Sequence, residues 1–545
     1  MSGNEKNTSA DIKPKQGETP SQYADRLGVY YTSIVTEEHK KELGQYFTPV
    51  KVAQFMSSLS SCNNETIRIL DPGCGVGILT ASLAEALAGN PHLRNIELVA
   101  FETDSDILPL AEMCFTYLSS WLLAKNVNFT FFLCKNDFIL HNSPLLNNAN
   151  HIAESYDIVI SNPPYFKLPK DDERVKVAKS VIHGQTNIYS IFLLLATKLL
   201  RDNGQLIFIT PRSFCSGNYF RLFRELFFPM VELKTVHLFN SRKDAFKRDK
   251  VLQENIIIEA IKKVAQPVNQ VAEPNLESRE EMVEISTSNG LDDLVLRQIK
   301  KHRYTELINT ASYQKILHLP TSETDEQIIK IFRNWTGSLN AFDLEISTGP
   351  VVDFRSEEMI SIKKRKNSVP LIWLHNITPM KTIWPLNNGY KGKTKGQYIT
   401  FSDESKSRLV DNRNYVFLRR FSTKDENRRL IASPYFKGTS ETLMLGIENH
   451  LNYIYHKKRE LSDVETFGIA AILNSKLFDL YFRTFNGNIN VSATELRDFP
   501  LPDFKLIQSL GDKITQLQQL PNNSDIDLMV SEIFDLKIDL SEQYE

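Results

Sequence analysis

Ile67-Arg-Ile-Leu-Asp-Pro-Gly-Cys-Gly-Val-Gly77 is the stretch whose reading decides the fold. Ile67 to Leu70 reads as a short strand, glycines at 73, 75 and 77 turn the chain, and the apolar run from Ile78 opens a helix. Glycines let backbone amides approach a ligand closely, and the helix N-terminus favours a carboxylate or a phosphate. Taken alone, such a loop suits a dinucleotide, another nucleotide or a plain tight turn. Its order, Asp-x-Gly-x-Gly-x-Gly with the acid leading, differs from the Gly-x-Gly-x-x-Gly of dinucleotide sites.

Working outward, short apolar runs alternate with amphipathic stretches. Strands are predicted at Glu97 to Phe101, Asn128 to Leu133, Tyr156 to Ile160, Gln205 to Ile209 and Asn255 to Glu259, with helices at Leu79 to Leu87 and Tyr189 to Leu200. That alternation predicts an α/β fold, a mostly parallel sheet covered on both faces, with its ligand at the carboxyl ends of the strands. After Ile258 the character changes: Pro267 to Glu284 is polar, acidic and without periodicity. We expect a flexible tail over 1–24, a first domain over 25–265, a linker over 266–309 and a second domain over 310–545. The second domain reads only as mixed α and β, with a late helix-like stretch at Ile469 to Phe485.

The bulk numbers agree with two domains: 545 residues, 41% of them apolar, exceed one ordinary core. No apolar run reaches the ~18 residues of a membrane span; Ile191 to Leu200 comes nearest, interrupted by Lys198. The first twenty residues lack the apolar centre of a secretory signal. Five scattered cysteines, none in a Cys-x-x-Cys spacing, suggest neither a disulfide framework nor a zinc site, and a reducing cytoplasm is expected. The net charge of −2 hides an asymmetry, for residues 361–430 hold 16 Lys plus Arg against 5 Asp plus Glu. Such a stretch serves either as a solvated face or as a footprint for phosphates.

Three further strand ends carry chemistry. Phe101-Glu102-Thr103-Asp104 places a carboxylate where a ribose diol accepts a bidentate pair of hydrogen bonds. At Asn136-Asp137-Phe138 a carboxylate can hold an adenine amino group beside an aromatic face, unless Asp137 is only a solvated strand end. The decisive one is Ser161-Asn162-Pro163-Pro164-Tyr165. An adenine amino nitrogen is a poor nucleophile because its lone pair is delocalised into the ring, so methylating it needs acceptors that favour a tetrahedral nitrogen. The Asn162 side-chain oxygen and the Pro163 carbonyl are two such acceptors, held by a backbone that Pro163 and Pro164 stiffen. Tyr165 offers a face on which an extruded base can stack. The bland alternative is a Pro-Pro-Tyr segment that docks a peptide-binding domain.

In order and kind these motifs resemble the class I S-adenosylmethionine-dependent methyltransferases, Rossmann-like in fold, and within them the gamma group of DNA adenine (amino) methyltransferases. Gly44-Gln45-Tyr46-Phe47-Thr48-Pro49 is similar to the segment that in that group closes over the methionine end of the cofactor. The resemblance implies that Tyr46, Thr48 and Asp71 meet the amino-acid part, beside Pro72, Gly73 and Gly75. Glu102 would bind the ribose, Asp137 the adenine amino group and Phe138 its ring, with Asn162 shared between cofactor and target. Phe246, before the strand from Asn255, is implied as the second aromatic around the flipped base, with Phe239 as the competing position.

Ser347 to Arg355, Tyr415 to Phe421 and Phe485 to Arg497 resemble segments of PstI- and BsuBI-type modification methyltransferases. This implies a C-terminal target-recognition domain, duplex DNA and S-adenosylmethionine as partners, a short palindromic site, and a separately acting endonuclease in the same system. Lys363, Lys364 and Arg365 read as phosphate-steering, while Arg413, Arg419, Arg420 and Lys424 suit guanine or phosphate. Neither a metal nor a nuclease domain is expected, and a monomer suffices. A protein-glutamine or RNA adenine methyltransferase shares the acceptor loop and stays open. A binding-only specificity module is weakened by the intact Asn162, Pro163 and Tyr165. Cytosine carbon-5 chemistry is set aside because no Pro-Cys pair occurs.

Overall fold

In a computed structural model the described residues are 12–540, apart from 46, 148–154, 183–186, 241–253, 265–280, 311, 387–394, 423–425, 488 and 539. The chain forms two compact units, Met1–Thr321 and Ser322–Glu545. The first contains the predicted sheet. Its strands are β1 (Thr66–Pro72), β2 (Asn95–Phe101), β3 (Asn128–Cys134), β4 (Tyr156–Ser161), β5 (Leu200–Pro211), β6 (Val231–Phe239), β7 (Asn255–Lys262), β8 (Met282–Ser288) and β9 (Gln298–Arg303). They lie in the order β3-β2-β1-β4-β5-β7-β6-β8-β9. The first five are parallel, and β7 runs antiparallel between β5 and β6.

Successive residues of each strand point to opposite faces, and both faces are buried, as a parallel sheet requires. Ile67, Ile69, Ile158, Ile160, Ile207 and Ile209 face the helices α1 (Pro20–Ile34), α2 (Val50–Ser58), α3 (Ile78–Leu87) and α4 (Leu108–Leu123). Leu70, Val159, Leu206 and Phe208 face α5 (Ile188–Leu199) and α6 (Arg221–Met230). Burying each such side chain fully is worth about 1.5–3 kcal/mol. The strand order runs outward from β1 in one direction and from β4 in the other, so the loops after these two strands flank a switch point.

Two expected boundaries need correction. Part of the predicted linker, 282–303, forms β8 and β9 at the edge of the sheet: β8 pairs in parallel with β6, and β9 pairs antiparallel with β8. Residues 312–321 also belong to the first unit, where Leu317 and Leu319 are buried in its core. At the other end the expected tail is anchored. α1 starts at Pro20 with a Thr19 capping box, Ser21 donates to Glu85, and the Tyr23 hydroxyl donates to the Ile12 carbonyl at 2.7 Å.

The second unit opens with α7 (Glu323–Arg333) and continues through β10 (Leu344–Thr348), β11 (Ile360–Ser361), β12 (Ser368–Ile372), β13 (Ile377–Thr378), β14 (Lys381–Thr382), β15 (Tyr398–Thr400), β16 (Leu409–Asp411), β17 (Tyr415–Arg419), β18 (Ala432–Tyr435), β19 (Met444–Ile447) and β20 (Leu451–His456). These build an antiparallel sheet β10-β20-β17-β18, a sheet β11-β15-β12-β19-β16 and a ribbon β13-β14. The late helical stretch is two helices, α8 (Asp463–Asn474) and α9 (Lys476–Arg483). Extended Ser475 ends the first and caps the second through its side chain. Among the described residues no helix is long and apolar enough to cross a membrane.

The glycine at the start of α3 is obligatory. Gly77 has φ +87°, and a Cβ there would lie 2.5 Å from a ring carbon of Phe115 on α4. Left-handed strain and overpacking together give an expected loss of about 2–4 kcal/mol for Gly77→Ala in chemical denaturation. A loss under about 1 kcal/mol would show that the loop yields.

Candidate functional site

The loop after β1 and the loop after β4 lie side by side, fastened where the Ser161 hydroxyl donates to the Pro72 carbonyl at 2.6 Å. Between them and the end of β2 is a cavity of about 950 Å³, continuous with solvent. Its lining includes Thr48, Gly73, Gly75, Glu102, Asp137, Phe138, Asn162 and Pro164. Asp71, Pro72, Pro163 and Tyr165 lie just behind this wall, buried. Tyr46 and Phe246 fall outside the described residues. Phe239, the competing position for the second aromatic, is core: its ring packs edge-on against His237 at 4.8 Å and is 7% exposed.

Glu102 is fixed at the end of β2 by three backbone amides. Gly75 donates to Oε2 at 3.0 Å, while Thr103 and Asp104 donate to Oε1 at 2.8 and 2.9 Å. Burial still lifts its carboxyl above the ordinary value, against the pull of those amides. Asp71 is fully buried; Thr80 donates to its Oδ2 at 2.7 Å, and its Oδ1 has no partner among the described residues. Burial raises Asp71 to about 7, opposed by Thr80 and reinforced by Glu102. An orphaned carboxylate oxygen beside a second acid is an arrangement that a cationic ligand would relieve.

Asp137 caps a short helix, its Oδ1 accepting from the amides of Ile139 and Leu140 at 2.9 and 3.0 Å. Its Oδ2 lies 3.5 Å from Arg174, a pocket residue the sequence reading missed. Arg174 also pairs with Asp172 at 2.6 Å and stands over the Phe166 ring at 5.5 Å. Phe138 is 2% exposed, packed between Phe101 and Phe192 at centroid distances of 5.2 and 5.0 Å. These rings give the pocket an apolar slot beside its acids.

On β4's side the carboxamide of Asn162 is held at both ends. Its Nδ2 donates to Thr48 Oγ1 at 3.0 Å, and its Oδ1 accepts from the Tyr165 hydroxyl at 2.5 Å. Tyr165 is 7% exposed, and its hydroxyl also lies 3.0 Å from the Ile209 carbonyl, which competes for the same hydrogen. Thr48 belongs to a segment that the sequence reading did not anchor and the structure does. Asp104 Oδ2 accepts from Tyr31 at 2.5 Å and Gln45 at 2.7 Å, with His39 Nε2 3.0 Å away. Burial opposes charge on Asp104, but these partners and the Asp106 amide outweigh it and hold the carboxyl below its ordinary value.

In the second unit Lys363, Lys364 and Arg365 are exposed. The three arginines read as DNA-facing are half-buried and partly committed to the unit itself. Arg413 stands over Tyr455 at 4.7 Å, Arg419 donates to the Ile377 carbonyl at 2.7 Å, and Arg420 to the Asn449 carbonyl at 3.0 Å. Lys424 is outside the described residues.

Residues 115–246 match the Eco57I restriction-modification methylase family. The type II methyltransferase M.BsuBI of Bacillus subtilis is 32% identical over 503 residues, spanning 91% of this chain and 95% of its own. M.PstI of Providencia stuartii, likewise a type II methyltransferase, is 30% identical over 504 residues, 90% of this chain and 94% of its own. Among solved structures, a nuclease-deletion mutant of the type ISP restriction-modification enzyme LlaGI with a DNA substrate mimic has TM-score 0.50 and 12% identity, covering 90% of this chain and 56% of that one. At that identity it speaks for the fold alone.

Asp71 sets a pH dependence. With its folded value near 7 and an unfolded value of about 3.9, the folded state holds the extra proton between them. Stability from this group therefore falls as pH climbs from about 4 to 7 and levels off above. In denaturation at pH 5 and pH 8, Asp71→Asn should lose that difference; a variant that keeps it would contradict the assignment.

Proposed function

The chain belongs to the family of type II restriction-modification DNA methyltransferases that includes M.BsuBI and M.PstI, and from that premise we propose that it methylates the exocyclic amino group of adenine in duplex DNA. The observation that carries this reading is Asn162, whose carboxamide is fixed by Thr48 and Tyr165 on the pocket wall, next to a proline carbonyl. Because Nδ2 is committed to Thr48, Oδ1 is the atom left to receive a substrate hydrogen. A carboxamide oxygen carries two lone pairs, so it can accept more than one hydrogen.

The cofactor of this chemistry is S-adenosylmethionine, and the residues fit it. Glu102 would take the ribose hydroxyls, Asp137 the adenine amino group and Phe138 the adenine face. Asp71, with its orphaned Oδ1, and Thr48 would hold the cationic amino-acid end, beside Pro72, Gly73, Gly75 and Tyr46. An excess of carboxylates around the cavity suits a ligand carrying both an ammonium and a sulfonium. When bound, the cofactor supplies an electrophilic methyl group.

The chain's own part is positional. Asn162 Oδ1 and the Pro163 carbonyl accept the two hydrogens of the target amino group, which localises its lone pair and aims it. Pro163 and Pro164 keep the two acceptors from drifting, and Tyr165, with Phe246, would grip the extruded base. Holding two reactants in line is the main source of rate, since the acceptors are strongest in the tetrahedral arrangement that only the transition state reaches. Lys363, Lys364 and Arg365 would steer the duplex through its phosphates, with Arg413, Arg419, Arg420 and Lys424 nearer the bases.

The test is a split between binding and transfer. Asn162→Ala should leave S-adenosylmethionine affinity within about threefold and lower methyl transfer to DNA by at least about a hundredfold, the usual size of a lost transition-state contact. Turnover near the wild-type value would remove Asn162 from the reaction.

A further inference from the structure

Ser347 to Arg355 and Tyr415 to Phe421 are far apart in sequence and meet at one turn, Glu448-Asn449-His450, while Phe485 to Arg497 bonds to the second of them. The turn joins β19 to β20 and is closed by the Leu451 amide donating to the Glu448 carbonyl at 3.0 Å. From the first stretch, the Gly349 amide donates to the Leu451 carbonyl at 2.8 Å, and Val351 accepts from the Asn449 amide at 2.9 Å. From the second, the Arg420 amide donates to the His450 carbonyl at 2.9 Å and its guanidinium to the Asn449 carbonyl at 3.0 Å. The third braces the second: the Val491 amide donates to the Arg420 carbonyl at 2.8 Å, and Ser422 donates to the Ile489 carbonyl at 3.0 Å. Contact is close enough that a Cβ at Gly349 would lie 2.2 Å from the Glu448 carbonyl oxygen.

The side chains on this turn are arranged at a cost. The Glu448 side chain is 1% exposed and pairs with Nδ1 of His450, whose side chain is 45% exposed. Burial pushes the Glu448 carboxyl up, so holding it as a charge is unfavourable. Spent on a half-exposed histidine, a buried carboxylate returns little to stability. What it does fix is the ring: with Nδ1–H donating inward to the carboxylate, a neutral imidazole turns its Nε2 lone pair outward. Around that ring stand Phe421, at a centroid distance of 4.9 Å, and the Arg420 guanidinium, 5.6 Å from the Phe421 ring. A fixed acceptor beside a cation is what reading a base edge takes: the acceptor meets the amino group of adenine N6 or cytosine N4, and the cation guanine O6 or N7.

We propose that the turn 448–450 is a base-reading element of this enzyme, in which His450, oriented by Glu448, accepts at Nε2 from an amino group on the edge of a base in the recognition site. The proposal rests on the assignment of duplex DNA as substrate. Glu448 is its positioning residue and Phe421 the support of the ring.

The test uses the full-length protein with unmethylated genomic duplex DNA, methylated positions being mapped by sequencing. Wild-type protein should mark one defined site. His450→Ala, and His450→Gln, whose amide can still donate to Glu448 and so keep the turn intact, should mark sites that differ from it at one base position. The ratio of kcat/KM between the wild-type site and such a variant site should fall about tenfold, the low end for one lost base contact. The slope of log Kd against log salt and the affinity for S-adenosylmethionine should stay at wild-type values, since no phosphate contact is removed. Unchanged discrimination would overturn the proposal, whether the salt slope drops by about one, which assigns His450 to a phosphate, or stays the same. Wild-type protein that places no methyl in DNA would fail the substrate assignment itself, a result seen before any variant is made.

Discussion

Where a parallel sheet reverses its strand order, two loops face each other across a crevice that no crossover helix fills, and here that place lies between β1 and β4. Everything the first unit does depends on it. The glycine loop after β1 and the acceptor loop after β4 are clamped together by a single hydroxyl, Ser161, on the Pro72 carbonyl. Glu102 enters from the next strand and Asp137 from the one beyond, so the residues proposed to hold the cofactor follow one another in strand order.

The closing segment completes this arrangement from the outside. Asp104, two residues past Glu102, gathers Tyr31, His39 and Gln45, and so fixes the approach to Thr48. Thr48 in turn fixes the Asn162 carboxamide. Gln45 is thus tied to Asp104 and Thr48 to Asn162, two hydrogen bonds on one short stretch of chain. Each is a local bond of ordinary strength, worth about 1 kcal/mol net, and its value lies in orientation.

Much of the first unit was legible from sequence because its strands are short apolar runs that end in residues chosen for chemistry. The ends Asp71, Glu102, Asp137 and Asn162 stand at or just behind the cavity wall for that reason. What was not legible shares a different cause. β9 reads Gln-Ile-Lys-Lys-His-Arg and is mostly exposed at the sheet edge, so it carries no apolar period. Arg174 and Asp104 act through side chains that meet partners far away in the chain, and no spacing rule reaches them. In the second unit the strands are two to six residues long, too short for any pattern to accumulate, and the turn at Glu448 to His450 has meaning only once two distant stretches meet at it.

The central claim is that an amino nitrogen of adenine in duplex DNA receives the methyl group. It is tested most directly by incubating the protein with methyl-labelled S-adenosylmethionine and unmethylated genomic duplex DNA, digesting the DNA to nucleosides and separating them. The account predicts that the label runs with N6-methyldeoxyadenosine. Label in a methylated cytosine, in protein or in RNA, or none at all, would contradict it.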